Sequence, residues 1–218
     1  MAYRFQPAPL GGAAVKTQSL LGQVLGITAL GMCITALAVY LFPNVQLSWL
    51  GFIAGFALIF AINFTRNRPA VSLLLFYAFT FVEGIFIGPI VTAYAHLAGG
   101  EVVFNAALCT GLGMFALGAV VYATGLDLRR FSGILTLALL GLVVVGIISA
   151  FTHFVSPTLY SWGVLVIFSG FVLIDFARIR AGGDYLTPVQ MAVSIYLDSI
   201  NIFLALLQIF AGRSRSSD

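Results

Sequence analysis

Residues 157–211 read PTLYSWGVLVIFSGFVLIDFARIRAGGDYLTPVQMAVSIYLDSINIFLALLQIFA. Two apolar runs, from about Pro157 to Ile179 and from about Pro188 to Ala211, flank a short polar connection, Arg180 to Thr187. A helix crossing the hydrocarbon core of a bilayer needs ~20 predominantly apolar residues, and both runs meet that length. Pro157 sits at a favoured first-turn position. The short connection makes the two helices antiparallel neighbours, and each carries one aspartate, Asp175 and Asp198.

The rest of the chain has the same character. Of 218 residues 61% are hydrophobic and 8% charged, with mean hydropathy +1.09. Soluble domains carry roughly 25% charged residues, so a water-soluble globular enzyme is excluded. Five further apolar runs precede the quoted pair, at about Ser19–Phe42, Leu47–Phe64, Ala70–Leu97, Val102–Ala123 and Phe131–Phe154. Breaks such as Pro43-Asn44 and Arg66-Asn67-Arg68-Pro69 separate them. Seven crossings consume about 140 residues at that length. The expected fold is therefore all-α, a polytopic membrane helical bundle with one seven-helix transmembrane domain over residues 19–211. A short arm, residues 1–18, precedes it and a polar tail, residues 212–218, follows. Gly88-Pro89 predicts a kink in the third run. The small-residue pairs Gly22/Gly26, Gly51/Gly55 and Gly84/Gly88 predict close helix contacts.

Basic residues assign the sides. Arg4 and Lys16 precede the first run, Arg66 and Arg68 follow the second, Arg129 and Arg130 the fourth, and Arg178 and Arg180 the sixth. The intervening loops contain no Lys or Arg. This alternation predicts a cytoplasmic N-terminus; a full seventh crossing leaves Arg213 and Arg215 on the other side, against the rule. A re-entrant last helix would avoid that, but an apolar run of this length favours crossing. The basic residues stand in ones and twos, so no nucleic-acid surface is predicted. Cys33 and Cys109 lie inside apolar runs and read as small packing residues. Residues 1–18 do not resemble a signal peptide.

Three acids lack a topological explanation: Glu83, Asp175 and Asp198. An ionisable group inside a span costs ~2.5–3.5 kcal/mol on insertion scales and turns toward the bundle interior. Glu83 reads equally as a neutral interhelical acid or as part of an ion pathway. On the last run Ser194, Asp198, Asn201 and Gln208 fall near one helical face, a polar stripe that must point inward. Two carboxyls close together in low dielectric cannot both ionise cheaply and tend to share a proton. Protonated, such a pair ties two helices; ionised, it repels or coordinates a hard cation such as Ca²⁺ through oxygen. The same spacing also serves a purely structural hydrogen-bonded acid pair.

Four stretches carry a resemblance. FSGFVLIDFARI (Phe168–Ile179) and SIYLDSINIFLALLQIF (Ser194–Phe210) resemble the two aspartate motifs of the transmembrane Bax inhibitor motif family. FVEGIFIGPIV (Phe81–Val91) is similar to its Gly-Pro signature, and YATGLDLRRFSG (Tyr122–Gly133) to its Tyr-Ala region, with Thr124 early and the usual Lys missing. The likeness covers nearly all the chain beyond residue 18.

The resemblance implies a seven-helix fold with the C-terminal helix central. It implies that Asp175 and Asp198 occupy the family's di-aspartyl pH-sensor positions, which gate a calcium leak in some bacterial members. These acids would then contact Ca²⁺ transiently, as a permeant ion with no resident cofactor. Arg66, in the frame TRNRPAV (Thr65–Val71), matches an arginine that latches onto the acid pair, while Pro69 and Asn67 depart from a more basic family run. Glu83, Ser194 and Asn201 are the expected pathway residues. The competing expectation is an interaction protein, since bacterial members are associated with the membrane protease FtsH and eukaryotic relatives with suppression of cell death. An enzyme is not expected. An intramembrane aspartyl protease needs Gly-x-Gly-Asp, and Ala181-Gly182-Gly183-Asp184 lacks the first Gly. His96 and His153 stand at helix ends. Short loops point to a bacterial inner membrane, with the bilayer itself as partner.

Overall fold

A computed structural model describes residues 10–45 and 49–214, with side chains over 19–45 and 51–212. The described chain folds into α1 (Leu10–Leu41), α2 (Trp49–Phe64), α3 (Pro69–Ala98), α4 (Gly100–Thr124), α5 (Ser132–Thr152), α6 (Pro157–Arg180) and α7 (Pro188–Ser214). A single 3-10 turn at Arg129–Phe131 leads into α5, and no strand occurs among the described residues. Backbone groups have no water partner in hydrocarbon, so each apolar run closes its hydrogen bonds within itself. Six helices contain segments long and apolar enough to cross a membrane; the apolar part of α2, Gly51–Phe64, is shorter. At 1.5 Å per residue the 16 residues of α2 span only ~24 Å, against a hydrocarbon core of ~30 Å.

Punctuation in the sequence places most boundaries within a few residues. The exception is α1, which starts at Leu10, well before the apolar run at Ser19, so the latter half of the arm continues the helix. Residues 1–9 with Arg4, the side chain of Lys16, the side chain of Arg213, and Arg215 all lie outside the described residues. Pro89 stands inside α3, which is assigned as one helix from Pro69 to Ala98.

The expected small-residue contacts divide. A Cβ on Gly84 would lie 2.6 Å from the Thr35 carbonyl oxygen and 2.7 Å from Ala38 Cβ, and one on Gly88 would lie 3.1 Å from the Phe42 carbonyl oxygen. This pair brings α1 onto α3. A Cβ on Gly22 or Gly26 would meet nothing within 4 Å. Spacing alone does not say which face of a helix meets a neighbour. Cys33 and Cys109 are likewise exposed on the outer surface and do not pack between helices as expected.

Helix α7 touches α1, α2, α3, α4 and α6, whereas among the described residues α5 packs only on α6 and the 3-10 turn. Within its apolar segment 56% of α7 is buried, against none of α5. The larger core cluster joins Val24, Ile62, Phe76 and Phe79 to Tyr196 and Leu207 of α7. Phe76 and Phe79 both meet the Tyr196 ring edge-on, with centroids 5.7 Å away.

The arginine-bearing loops gather at one end of the bundle. Gln190 Nε2 near the start of α7 donates to Asn63 Oδ1 at the end of α2 (2.9 Å). Arg129 Nη1 donates to Asp184 Oδ1 (2.8 Å), and Arg180 donates to the carbonyls of Val121 and Gly125 at the end of α4 (3.0 and 2.6 Å).

Candidate functional site

The site is built on the α6–α7 hairpin. The connection turns through Gly182, Gly183 and Asp184, all with positive φ, and the Gly183 amide donates back to the Arg178 carbonyl (2.8 Å). Thr187 then caps α7. Gln190 N–H donates to Thr187 Oγ1 (3.2 Å) while Thr187 N–H donates to Gln190 Oε1 (3.0 Å), a reciprocal capping box. Asp175 lies ~7.5 Å from the end of α6 and Asp198 ~15 Å from the start of α7, at 1.5 Å per residue.

Both acids are buried, Asp175 at 3% exposure and Asp198 at 5%. Asp198 is within electrostatic reach of Asp175 and of Arg178. Asp175 Oδ1 accepts from Arg178 Nη1 at 2.9 Å, and the Ser194 side chain lies beside the same carboxyl. The other oxygens, Asp175 Oδ2 and Asp198 Oδ2, are buried without a hydrogen-bond partner among the described residues. A buried acceptor left unmade carries the desolvation cost of that group. Two carboxyls facing one guanidinium also leave one negative charge uncompensated in low dielectric. A proton on the pair or a passing cation answers both deficits.

Arg178, in the sequence a marker of sidedness, is the cation that meets Asp175 in the structure. The available signal was Asp175-x-x-Arg178, an i,i+3 spacing that puts both groups on one helical face. Arg66 is exposed at the turn after α2 and makes no hydrogen bond to either acid among the described residues. It lines instead a cavity of about 240 Å³ with Gln23, Ser72 and Thr187.

The remaining polar candidates, two on the α7 stripe and Glu83 on α3, fall in three environments. Asn201 is half-buried and donates to the Leu197 carbonyl of its own helix (2.8 Å). Gln208 accepts from the Ser161 hydroxyl of α6. Glu83, half-buried on α3, lies within electrostatic reach of Tyr196. The Tyr196 hydroxyl meets Thr35 Oγ1 at 2.6 Å, and Thr35 is within donor distance of the Thr80 and Gly31 carbonyls (3.0 and 3.1 Å). Tyr196 thus bonds α7 to α1, and Thr35 carries the link on to α3. Glu83 belongs with this second polar centre, not with the acid pair's hydrogen bonds. Outside the spans, Arg129 bridges Asp127 and Asp184 (2.8 Å to each). Its hydrogen bonds hold the Asp127 carboxyl down at about 2.

Comparison with known proteins agrees with the family resemblance. The sequence profile of the family described as "Inhibitor of apoptosis-promoting Bax1" matches residues 17–215. A protein of Escherichia coli K12 named "Modulator of FtsH protease YccA" is 31% identical over 204 residues, covering 92% of this chain and 90% of its own. An uncharacterised protein of Chlamydia muridarum is 33% identical, covering 88% of this chain and 86% of its own. One from Helicobacter pylori is 30% identical, with 76% and 72% covered.

Proposed function

The chain belongs to the Bax inhibitor family of membrane proteins, and from that premise we propose that it is a pH-sensitive calcium leak gated by Asp175 and Asp198. In this reading seven helices cross the membrane, α7 is the central one, and the N-terminus is cytoplasmic, so the arginine-bearing end of the bundle faces the cytoplasm of a bacterial inner membrane. One observation carries the reading: each acid buries an oxygen with no hydrogen-bond partner among the described residues, on the two helices of one hairpin. A shared proton ties α6 to α7. Loss of that proton leaves two repelling carboxylates against the single charge of Arg178, and the helices part at the cytoplasmic end.

Calcium takes six to eight oxygen ligands. Among the described residues no group of three His, Cys, Asp or Glu side chains could hold a metal ion. Two carboxyls with Ser194 are a partial oxygen set, suited to an ion in passage. Glu83 and Asn201 are assigned to the pathway, and Arg66 to a latch that reaches the pair in another state of the gate. The chain acts in this reading as a conduit and not as an enzyme. The test is Ca²⁺ flux into proteoliposomes across a pH series. Wild type should leak in a pH-dependent manner, and Asp175→Asn with Asp198→Asn should abolish that dependence; an unchanged profile in the double variant overturns the gate.

A second reading rests on the E. coli relative, whose name makes it a modulator of the FtsH protease and which this chain matches over 90% of its length. Co-purification of an FtsH-type protease with the full chain, lost on deleting residues 1–18, is the observation that would favour it. Retention of the protease without the arm would count against the arm as the handle.

A further inference from the structure

In this structure Arg66 and Ser72 line a site to which neither Asp175 nor Asp198 contributes. Residues of α1, the α2–α3 turn, the first turn of α3 and the start of α7 line an open-sided cavity of about 240 Å³ at the arginine-bearing end of the bundle. That is several times the ~30 Å³ that one water occupies in the liquid. Its polar lining is Gln23, Arg66, Ser72 and Thr187.

Three features of this lining favour a negative charge. The first is the start of α3. Its N-cap position is Arg68, which makes no side-chain cap, and Pro69 opens the helix. The initial amides of a helix have no intrahelical acceptor and carry the positive end of the macrodipole, so this terminus is short of acceptors. The start of α7, also on the cavity wall, already has its capping box. The second is Arg66, whose guanidinium forms none of the ion pairs found among the described residues. The third is independent of both. Ser72 is 1% exposed and its Oγ is buried with no hydrogen-bond partner among the described residues, an unmet donor on the wall of this cavity. The described side chains on this wall include no carboxylate.

We propose that this cavity binds an oxyanion of the phosphate class, held by the Arg66 guanidinium, the Ser72 hydroxyl and the Ala70 and Val71 amides. These are the two amides left at the start of α3, because Pro69 has no N–H and Ser72 N–H donates to the Arg68 carbonyl (3.0 Å). The charge of the anion meets the guanidinium and the helix terminus together, the combination that makes helix N-termini phosphate sites. The Gln23 amide, which donates to Ser19 (3.3 Å), has a second hydrogen for the same ligand. The phosphate group is either free or the headgroup of an anionic phospholipid, since the cavity lies at the end of the bundle where lipid headgroups run.

The experiment uses the full-length protein reconstituted in phosphatidylcholine nanodiscs. Unfolding midpoints are measured with inorganic phosphate titrated in against chloride at constant ionic strength, and then in nanodiscs containing phosphatidylglycerol. Phosphate raising the midpoint of the wild type supports a free-anion site; phosphatidylglycerol alone raising it supports a headgroup site. In either arm Arg66→Gln and Ser72→Ala should each weaken the response about tenfold in apparent affinity, while Asp175→Asn should leave it unchanged. Arg66 is exposed at a turn and Ser72→Ala removes one oxygen without adding bulk, so folded variants are expected; ligand-free midpoints equal to the wild type's verify this. The proposal is overturned if neither phosphate nor phosphatidylglycerol shifts the wild type. It is equally overturned if both variants respond like the wild type, or if the response follows Asp175 instead of Arg66.

Discussion

The Thr35–Tyr196 contact supports a prediction in which two deletions of one hydrogen bond differ in cost. Thr35 Oγ1 has one hydrogen, which the Thr80 and Gly31 carbonyls take at 3.0 and 3.1 Å. The 2.6 Å contact with Tyr196 Oη must then be donated by the tyrosine. In Tyr196→Phe, Thr35 loses an accepted bond but keeps its own donor satisfied. Interhelical hydrogen bonds in membranes average about 0.6 kcal/mol with a maximum near 1.7, so this variant should lose about 0.5–1 kcal/mol. In Thr35→Val the shape is kept, but the tyrosine O–H, in a residue with 0% exposure, loses its acceptor. A buried donor left unsatisfied costs about 1–3 kcal/mol. The double variant removes both partners and should cost little more than Tyr196→Phe alone, giving a coupling energy of about 1–2 kcal/mol. Reversible unfolding in mixed micelles with increasing dodecyl sulfate reads all four corners of the cycle. If Tyr196→Phe proves the costlier single change, or if the two losses add, the donor assignment is wrong.

Three further outcomes follow from the packing. Gly84→Ala drives a methyl to within 2.7 Å of α1 atoms and should cost about 1–3 kcal/mol through overpacking. Gly22→Ala, with open space at its Cβ, should stabilise by about 0.5–1 kcal/mol through helix propensity, read in the same micelle assay. Gly183→Ala combines a φ of +88° with a methyl 2.9 Å from Met191 Cε. It should cost about 1–2 kcal/mol for the left-handed backbone and loosen the α6–α7 turn, visible as faster amide exchange over residues 181–187. Asp127, lowered from 3.8 to about 2 by Arg129, stabilises the folded state above pH 4 and ceases to as pH falls through 2. Unfolding midpoints of the wild type and Asp127→Asn should therefore converge between pH 4 and pH 2, and added salt should shrink their difference at neutral pH.

The number, order and approximate limits of the helices were legible in the sequence because a bilayer imposes a length on every apolar run and loops interrupt the runs with Pro, Asn and Arg. The acids Asp175 and Asp198 were legible for a related reason, since a charge in a span needs a purpose and few charges compete for attention. Which faces meet was not legible. Gly84/Gly88 and Gly22/Gly26 have the same spacing, yet only the first pair has a helix against it. The stripe on α7 was a correct reading of periodicity but not of partners: Ser194 and Asp198 turn to Asp175, Gln208 to Ser161, and Asn201 to its own backbone. Tyr196, which nothing in the sequence sets apart from the other aromatics, bonds α7 to α1 through its hydroxyl.

What the sequence determined by itself was a membrane-embedded all-α chain with two acids that hydrocarbon would not tolerate unless they faced inward. Hydrophobic length and charge scarcity are one-dimensional properties, and the bilayer reads them along the chain. Tertiary structure set Asp198 near the local Asp175–Arg178 pair and kept Arg66 away from it. Arg178 reaches Asp175 because three residues make most of a helical turn, while Arg66 stands at a turn whose position depends on how α2 and α3 pack. The unpartnered oxygens on Asp175, Asp198 and Ser72 exist only in three dimensions, since a missing hydrogen bond is a property of surroundings and not of a residue.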